Sequence, residues 1–216
     1  MNEETVNEEP EGGRKTKRCF VAVPAPPEIC ERATEIQDVL RKSSGLQRIR
    51  WLNPDGLHIT VKFLGDVPAE DIPYIAEQLA IVASGCWPSV LPFDRLGVFP
   101  NPKRARVLWW GSNPKDVPAE VRALHFHVQE ALHLLGFEKE ERPFQPHITL
   151  GRMKENPNPV ALAEAMKRPA SLTETRFPVR GIELMESRLR PQGAVYETLA
   201  VLPIEEDEKA GPAREN

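Results

Sequence analysis

His58-Ile59-Thr60-Val61-Lys62-Phe63 and His147-Ile148-Thr149-Leu150-Gly151-Arg152 are the two stretches on which the fold turns. Each begins histidine, apolar, threonine, apolar. Side chains on a strand alternate, so residues two apart project to one side. Read as strands over residues 57–64 and 146–151, the repeats place His58 with Thr60 and His147 with Thr149. Ile59, Val61, Ile148 and Leu150 then fasten the opposite sides to a core. The same alternation puts Lys62 on the His58 side.

Outward from these strands the pattern switches between short apolar runs and longer amphipathic ones. Residues 19–23 read as a strand stopped by Pro24, Pro26 and Pro27. Residues 28–42 set Ile29, Ala33, Ile36 and Leu40 on one helical stripe. A second helix is expected over 69–84, with Glu70 and Asp71 in its first turn. Residues 90–111 predict two strands around Pro100-Asn101-Pro102, and 118–135 a helix with Gly136 as its stop. A short helix over 159–167 and two or three strands within 172–203, including 182–189 and 194–202, complete the order. This is an α+β arrangement with an approximate internal echo. One domain over 18–204 is expected, between polar tails at 1–17 and 205–216.

Composition narrows the function classes. The 216 residues are 40% hydrophobic, enough for a packed core. No apolar run approaches the roughly 20 residues of a membrane-spanning helix, and the first residues lack the apolar segment of a secretory signal. Cys19, Cys30 and Cys86 are odd in number with no C-x-x-C spacing, which argues against a disulfide framework or a thiolate zinc site and fits a reducing cytoplasm. The formal charge of −4 divides into −4 on residues 1–9, −3 on 205–216 and about +3 on the body. Such a body can attract a phosphate-bearing ligand without being a dedicated duplex-DNA binder. The expectation is a cytoplasmic monomer with no membrane partner.

The paired histidines suggest a chemistry. Histidine titrates near working pH, so one imidazole can be neutral while the other is protonated. Two of them flanking a phosphodiester make a metal-free acid–base device: one accepts a proton from the attacking oxygen, the other donates to the departing oxygen. Thr60 and Thr149 can donate to non-bridging phosphoryl oxygens. Arg152 can add a fixed cation to charge developing in the transition state. A strained 2′,3′-cyclic phosphate suits such a site. Either histidine could be the acid on this reasoning.

The doubled H-x-T-x tetrad resembles the 2H phosphoesterase superfamily. Residues 18–29 (R-C-F-V-A-V-P-A-P-P-E-I), 50–65 (R-W-L-N-P-D-G-L-H-I-T-V-K-F-L-G), 142–152 (R-P-F-Q-P-H-I-T-L-G-R) and 186–196 (E-S-R-L-R-P-Q-G-A-V-Y) are similar to the RNA 2′,3′-cyclic phosphodiesterase, or 2′-5′ RNA ligase, family (LigT or ThpR). The resemblance implies a bilobal α+β fold, two pseudo-symmetric lobes with antiparallel sheets around a central cleft and helices outside. It implies hydrolysis of RNA 2′,3′-cyclic phosphate ends to 2′-phosphomonoesters, without cofactor or metal. His58 becomes the proton donor and His147 the acceptor, Arg152 the arginine five positions after the second histidine, and Phe20 an aromatic lining the cleft. Reversible 2′-5′ ligation would use the same site.

Other candidates have plainer readings. His125, His127 and His133 lie in one predicted helix without H-E-x-x-H spacing, so a metal role is not expected. Trp51, Trp109 and Trp110 could stack bases or pack in the core. Lys62, Arg104, Arg106, Arg142, Arg188 and Arg190 could contact an RNA backbone, Lys62 with the best claim. No nucleotide-cradling glycine loop is present. Two competing functions are a non-catalytic module binding RNA ends and a protein-interaction domain contacted through its acidic tails.

Overall fold

Alternation gives each central strand one side to pack and one to display, and the core follows that division. The computed structural model describes residues 15–43, 46, 48–190 and 193–205. The chain runs β1 (Thr16–Pro24), α1 (Pro27–Arg41), β2 (Ile49–Trp51), β3 (His58–Pro68), α2 (Ile72–Ser84), β4 (Ser89–Phe93), β5 (Arg95–Phe99) and β6 (Val107–Gly111). It continues α3 (Ala119–Leu134), β7 (His147–Met153), α4 (Pro159–Lys167), the one-turn α5 (Ala170–Thr173), β8 (Thr175–Val179), β9 (Gly181–Arg190) and β10 (Gly193–Pro203). The α+β class expected from the pattern is what forms. β1 starts at Thr16, inside the stretch read as tail, because Thr16, Lys17 and Arg18 pair with Pro68, Val67 and Asp66 of β3, and Lys17 also meets Glu186 of β9 at 2.9 Å. The acidic ends at 1–14 and 206–216 fall outside the described residues.

The main sheet is antiparallel, ordered β10-β9-β1-β3-β7-β6-β5, with β2 also pairing β7; β4 and β8 form a separate two-stranded sheet. β3 and β7 meet at Ile59 opposite Ile148, the apolar residues inside the two H-I-T sequences. Both are buried, 1% and 0% exposed. Burying such a side chain stabilises by about 1.5–3 kcal/mol, so this pair, within the shared core, helps hold the two tetrads next to each other.

Helices cover the core side. Ile29, Ala33, Ile36 and Leu40 of α1, Ile75 and Leu79 of α2, and Val121, Leu124, Val128 and Leu132 of α3 enter one cluster with Val21, Val23, Ile59, Val61, Ile148 and Leu150. The buried Gln37 ties α1 to the sheet, its Nε2 donating to the carbonyls of Leu52 at 3.0 Å and Leu150 at 2.9 Å. Gly136 ends α3 with φ +92°, while Phe137 N donates back to Leu132 O at 3.0 Å; glycine takes that backbone at little cost. On the other face of the sheet lies a small cluster of Phe20, Ala22 and Met185 with Tyr196 packed against it. The sequence pattern does not predict β2, α5 or a separate β4. β2 and α5 are too short to show a period, and β4 runs into β5 with one residue between them.

Both tetrad strands carry a bulge at the same place. Against β1, the register slips between Val21, opposite Lys62, and Ala22, opposite Thr60, leaving Val61 extra. Against β6, it slips between Leu108, opposite Gly151, and Trp109, opposite Thr149, leaving Leu150 extra. An extra residue reverses the alternation beyond it. Val61 and Lys62 are therefore both buried while Phe63 is 65% exposed. Leu150 and Gly151 are likewise both buried and Arg152 exposed.

Candidate active site

His58 and His147 are held in the same way. His58 Nδ1 donates to Gly56 O at 2.9 Å, and His147 Nδ1 donates to Gln145 O at 2.7 Å. A carbonyl only accepts, so each Nδ1 carries a proton and each Nε2 is left for chemistry. Both residues are half-buried. Burial pushes the His58 pKa down from 6.5, the Gly56 bond opposes this, and the neighbouring His147 charge lowers it further. Burial likewise lowers His147, against its bond to Gln145. The two strands meet at Ile59 and Ile148, so His58 and Thr60 flank the meeting point on one strand and His147 and Thr149 flank it on the other. Four groups that can exchange or donate protons thus share one face, with Thr60 and Thr149 half-buried there.

Each imidazole is braced by rings. Phe20 lies 4.9 Å and Tyr196 4.8 Å from His58 between centroids. Phe99 lies 5.0 Å and Trp109 5.8 Å from His147. Such packing fixes ring orientation and excludes water from one side, which is the origin of the lowered pKa values.

Two expected ligand contacts are corrected. Lys62 does not share the His58 face: the Val61 bulge turns it into the core, where it is 1% exposed and its Nζ donates to Glu138 O at 2.5 Å. Burial lowers its pKa, opposed by Glu140. Phe20 does lie beside His58 but is only 2% exposed, so it backs the imidazole and offers no open surface. Arg152 is exposed on the histidine face. Trp110 is core, its Nε1 donating to Thr173 O at 2.9 Å. Trp51 lies under the Arg41 guanidinium, 5.4 Å from the ring centroid. His125 stacks on Phe144 at 4.2 Å and meets Gln129 at 3.2 Å, a packing role.

The sequence pattern of the LigT like phosphoesterase family matches residues 23–109 and 112–196. The chain belongs to that family. Among its relatives, the RNA 2′,3′-cyclic phosphodiesterase of Archaeoglobus fulgidus is 34% identical, the match covering 85% of this chain and 98% of the relative. That of Methanothermobacter thermautotrophicus is 30% identical over 87% and 98%. A crystal structure from Thermus thermophilus superposes with a TM-score of 0.70 at 27% identity, covering 87% of this chain and 97% of that one.

Within this LigT-like phosphoesterase, sequence reading overlooked Tyr196, Phe99 and Phe63. Tyr196 and Phe99 come from strands remote in sequence from the histidines they brace, on β10 and β5. Phe63 is hidden by the bulge: strict alternation sends it to the core, whereas it stands 6.2 Å from Phe20 with most of its ring in solvent. Nothing in the order of polar and apolar residues marks the bulge, since Lys62 and Phe63 both fit unbroken alternation.

Proposed function

We propose that the protein hydrolyses RNA 2′,3′-cyclic phosphate ends to 2′-phosphomonoesters by proton transfer between two histidines, without a metal. The supporting observation is the matched pair of imidazoles, each with Nδ1 tied to a carbonyl two residues earlier and Nε2 left open. The names of the relatives point to the same substrate.

In this reading the two halves of the sheet flank a cleft that seats the cyclic phosphate. His147 is neutral, and its Nε2 lone pair takes a proton from water as the oxygen attacks phosphorus. His58, protonated, gives its Nε2 proton to the 3′-oxygen as the P–O3′ bond breaks. The 2′-ester remains and the proton count is unchanged. Thr60 and Thr149 donate to the two non-bridging oxygens, and Arg152 supplies positive charge to them. The lowered pKa values suit the base directly. The acid is recharged when the anionic phosphate arrives, because a nearby negative charge favours the imidazolium. A 5′-hydroxyl in place of water would give 2′-5′ ligation through the same contacts.

The test is incubation of a cyclic-ended oligoribonucleotide with the protein in EDTA, followed by mapping of the product phosphate. A 2′-phosphate is expected. Full activity in the His58→Ala, His147→Ala double variant, or a 3′-phosphate product, sinks the proposal.

A further inference from the structure

Past the second bulge, Arg152 of β7 stands directly opposite Arg50 of β2. A Cβ placed on the buried Gly151 would meet Ile49 Cγ2 at 2.5 Å and Trp51 Cε3 at 3.3 Å, so Ile49 and Trp51 point to the packed side. Arg50, between them, therefore points to the histidine side with Arg152, and both are exposed. Directly opposed residues on antiparallel strands have Cβ atoms about 4.5–5.5 Å apart, so Arg50 stands one step beyond Arg152, within reach of the phosphodiester next to the phosphate that Arg152 serves.

The surrounding segments continue the charge. Met153 N donates to Arg106 O at 2.8 Å and Lys154 N to Arg48 O at 3.2 Å, which brings residues 48–50, 103–106 and 152–154 to one end of the sheet. Those three segments contain no Asp or Glu, and Arg104, Arg106 and Lys154 add to the two facing arginines. Glu155, just beyond, pairs with Arg48. Among the described residues, the first half of the sheet has Phe63 at the position where this half has Arg152.

We propose that Arg50 receives the phosphodiester on the 5′ side of the cyclic end, which makes the preferred substrate an RNA strand and not a lone nucleotide. The inference rests on the phosphodiesterase reading above and extends it to strand polarity. The strand leaves the histidines over Arg152 towards Arg50, and the aromatic half is left for the terminal base.

The experiment compares a mononucleoside 2′,3′-cyclic phosphate with a dinucleotide bearing the same end, which adds a single phosphodiester. Wild type is expected to favour the dinucleotide about fivefold in kcat/KM, the scale of one solvent-exposed ionic contact. Arg50→Gln should abolish that preference and leave mononucleotide turnover unchanged, with Arg50→Lys intermediate. A preference that survives in Arg50→Gln, or an equal loss on both substrates by a folded variant, overturns the proposal. A second measurement needs no variant and no turnover. Binding of the 2′-phosphorylated dinucleotide to wild type should weaken more steeply with salt than that of the mononucleotide, by a slope of about 0.7 for one extra contact; equal slopes overturn it. Wild type that hydrolyses neither substrate defeats the phosphodiesterase reading, and the salt slopes then still decide the role of this edge.

Discussion

On β3 the residues following the bulge are Lys62 and Phe63; on β7 they are Gly151 and Arg152. The backbone event is the same in both halves, and so is the geometry of His and Thr before it. What differs is the pair of side chains that the reversal sends inward and outward. The first half buries a lysine, its ammonium capped by Glu138 O, and displays a phenyl ring. The second buries nothing beyond a Cα, which lets β2 lie close enough to pair, and displays a guanidinium. In the proposed reaction the duplicated part serves proton transfer twice, and the divergent part would distinguish one end of a substrate from the other.

The largest effects test the duplicated part. His58→Ala and His147→Ala should each lower kcat by about 10²–10⁴, the usual range for a positioned acid or base. Because the proposed reaction moves both protons in one displacement, the double variant should be little worse than the poorer single one. A single variant that keeps a tenth of the wild-type rate would show that the two halves are not equivalent partners.

Next comes the buried position. Gly151→Val places a β-branched side chain where a single Cβ already lies 2.5 Å from Ile49 Cγ2. Overpacking of this kind costs about 1–3 kcal/mol, read as a lowered urea midpoint with unchanged slope. The loss should fall on β2 pairing, so Arg50 is displaced as well. Equal stability of Gly151→Val and wild type would show that the β2–β7 approach is loose.

Why these differences escape sequence reading can be stated residue by residue. His58, Thr60, His147 and Thr149 are legible because alternation holds up to the bulge. The positions of the long helices are legible from apolar stripes such as Val121, Leu124, Val128 and Leu132. Lys62 and Phe63 are not, because one extra residue reverses the alternation until a second, Leu64, restores it, and neither leaves a mark in composition. Tyr196 and Phe99 are not, because pairing between distant strands is set by register. The three-residue β2 is too brief for any periodicity, although it positions Arg50.

The pH dependence sharpens the comparison of the histidines themselves. Burial lowers both from 6.5. On the proposed mechanism, kcat/KM should fall on the acid side as His147 takes up a proton and on the alkaline side as His58 loses one. With both groups lowered, both limbs lie at lower pH than ordinary imidazoles give, and they belong to the interacting pair and not to either residue alone. In kcat the bound phosphate anion supports the His58 imidazolium, so the alkaline limb moves up. A flat profile from pH 5 to 8 would remove the acid–base assignment. Stability carries the same sign: the unfolded chain takes up these protons first, so the contribution is full above 6.5 and is lost as pH falls through the lowered folded values.

The smallest effect concerns the ring displayed by the first half. Phe63 is 65% exposed and packs mainly along Phe20. Removing it should change stability by no more than about 0.5 kcal/mol, as for most surface substitutions. If the aromatic half accepts the terminal base, Phe63→Ala raises KM about threefold to tenfold, within the range for loss of base–aromatic stacking. The rise should be larger for adenosine than for uridine 2′,3′-cyclic phosphate, because a purine has more area to stack. The kcat should hold, since the proposed reaction gives the ring no part in proton transfer. Phe63→Trp should restore or lower KM. Should KM stay fixed in Phe63→Ala for both bases, the phenyl is an exposed consequence of the bulge, and the divergence between the halves lies wholly on the arginine side.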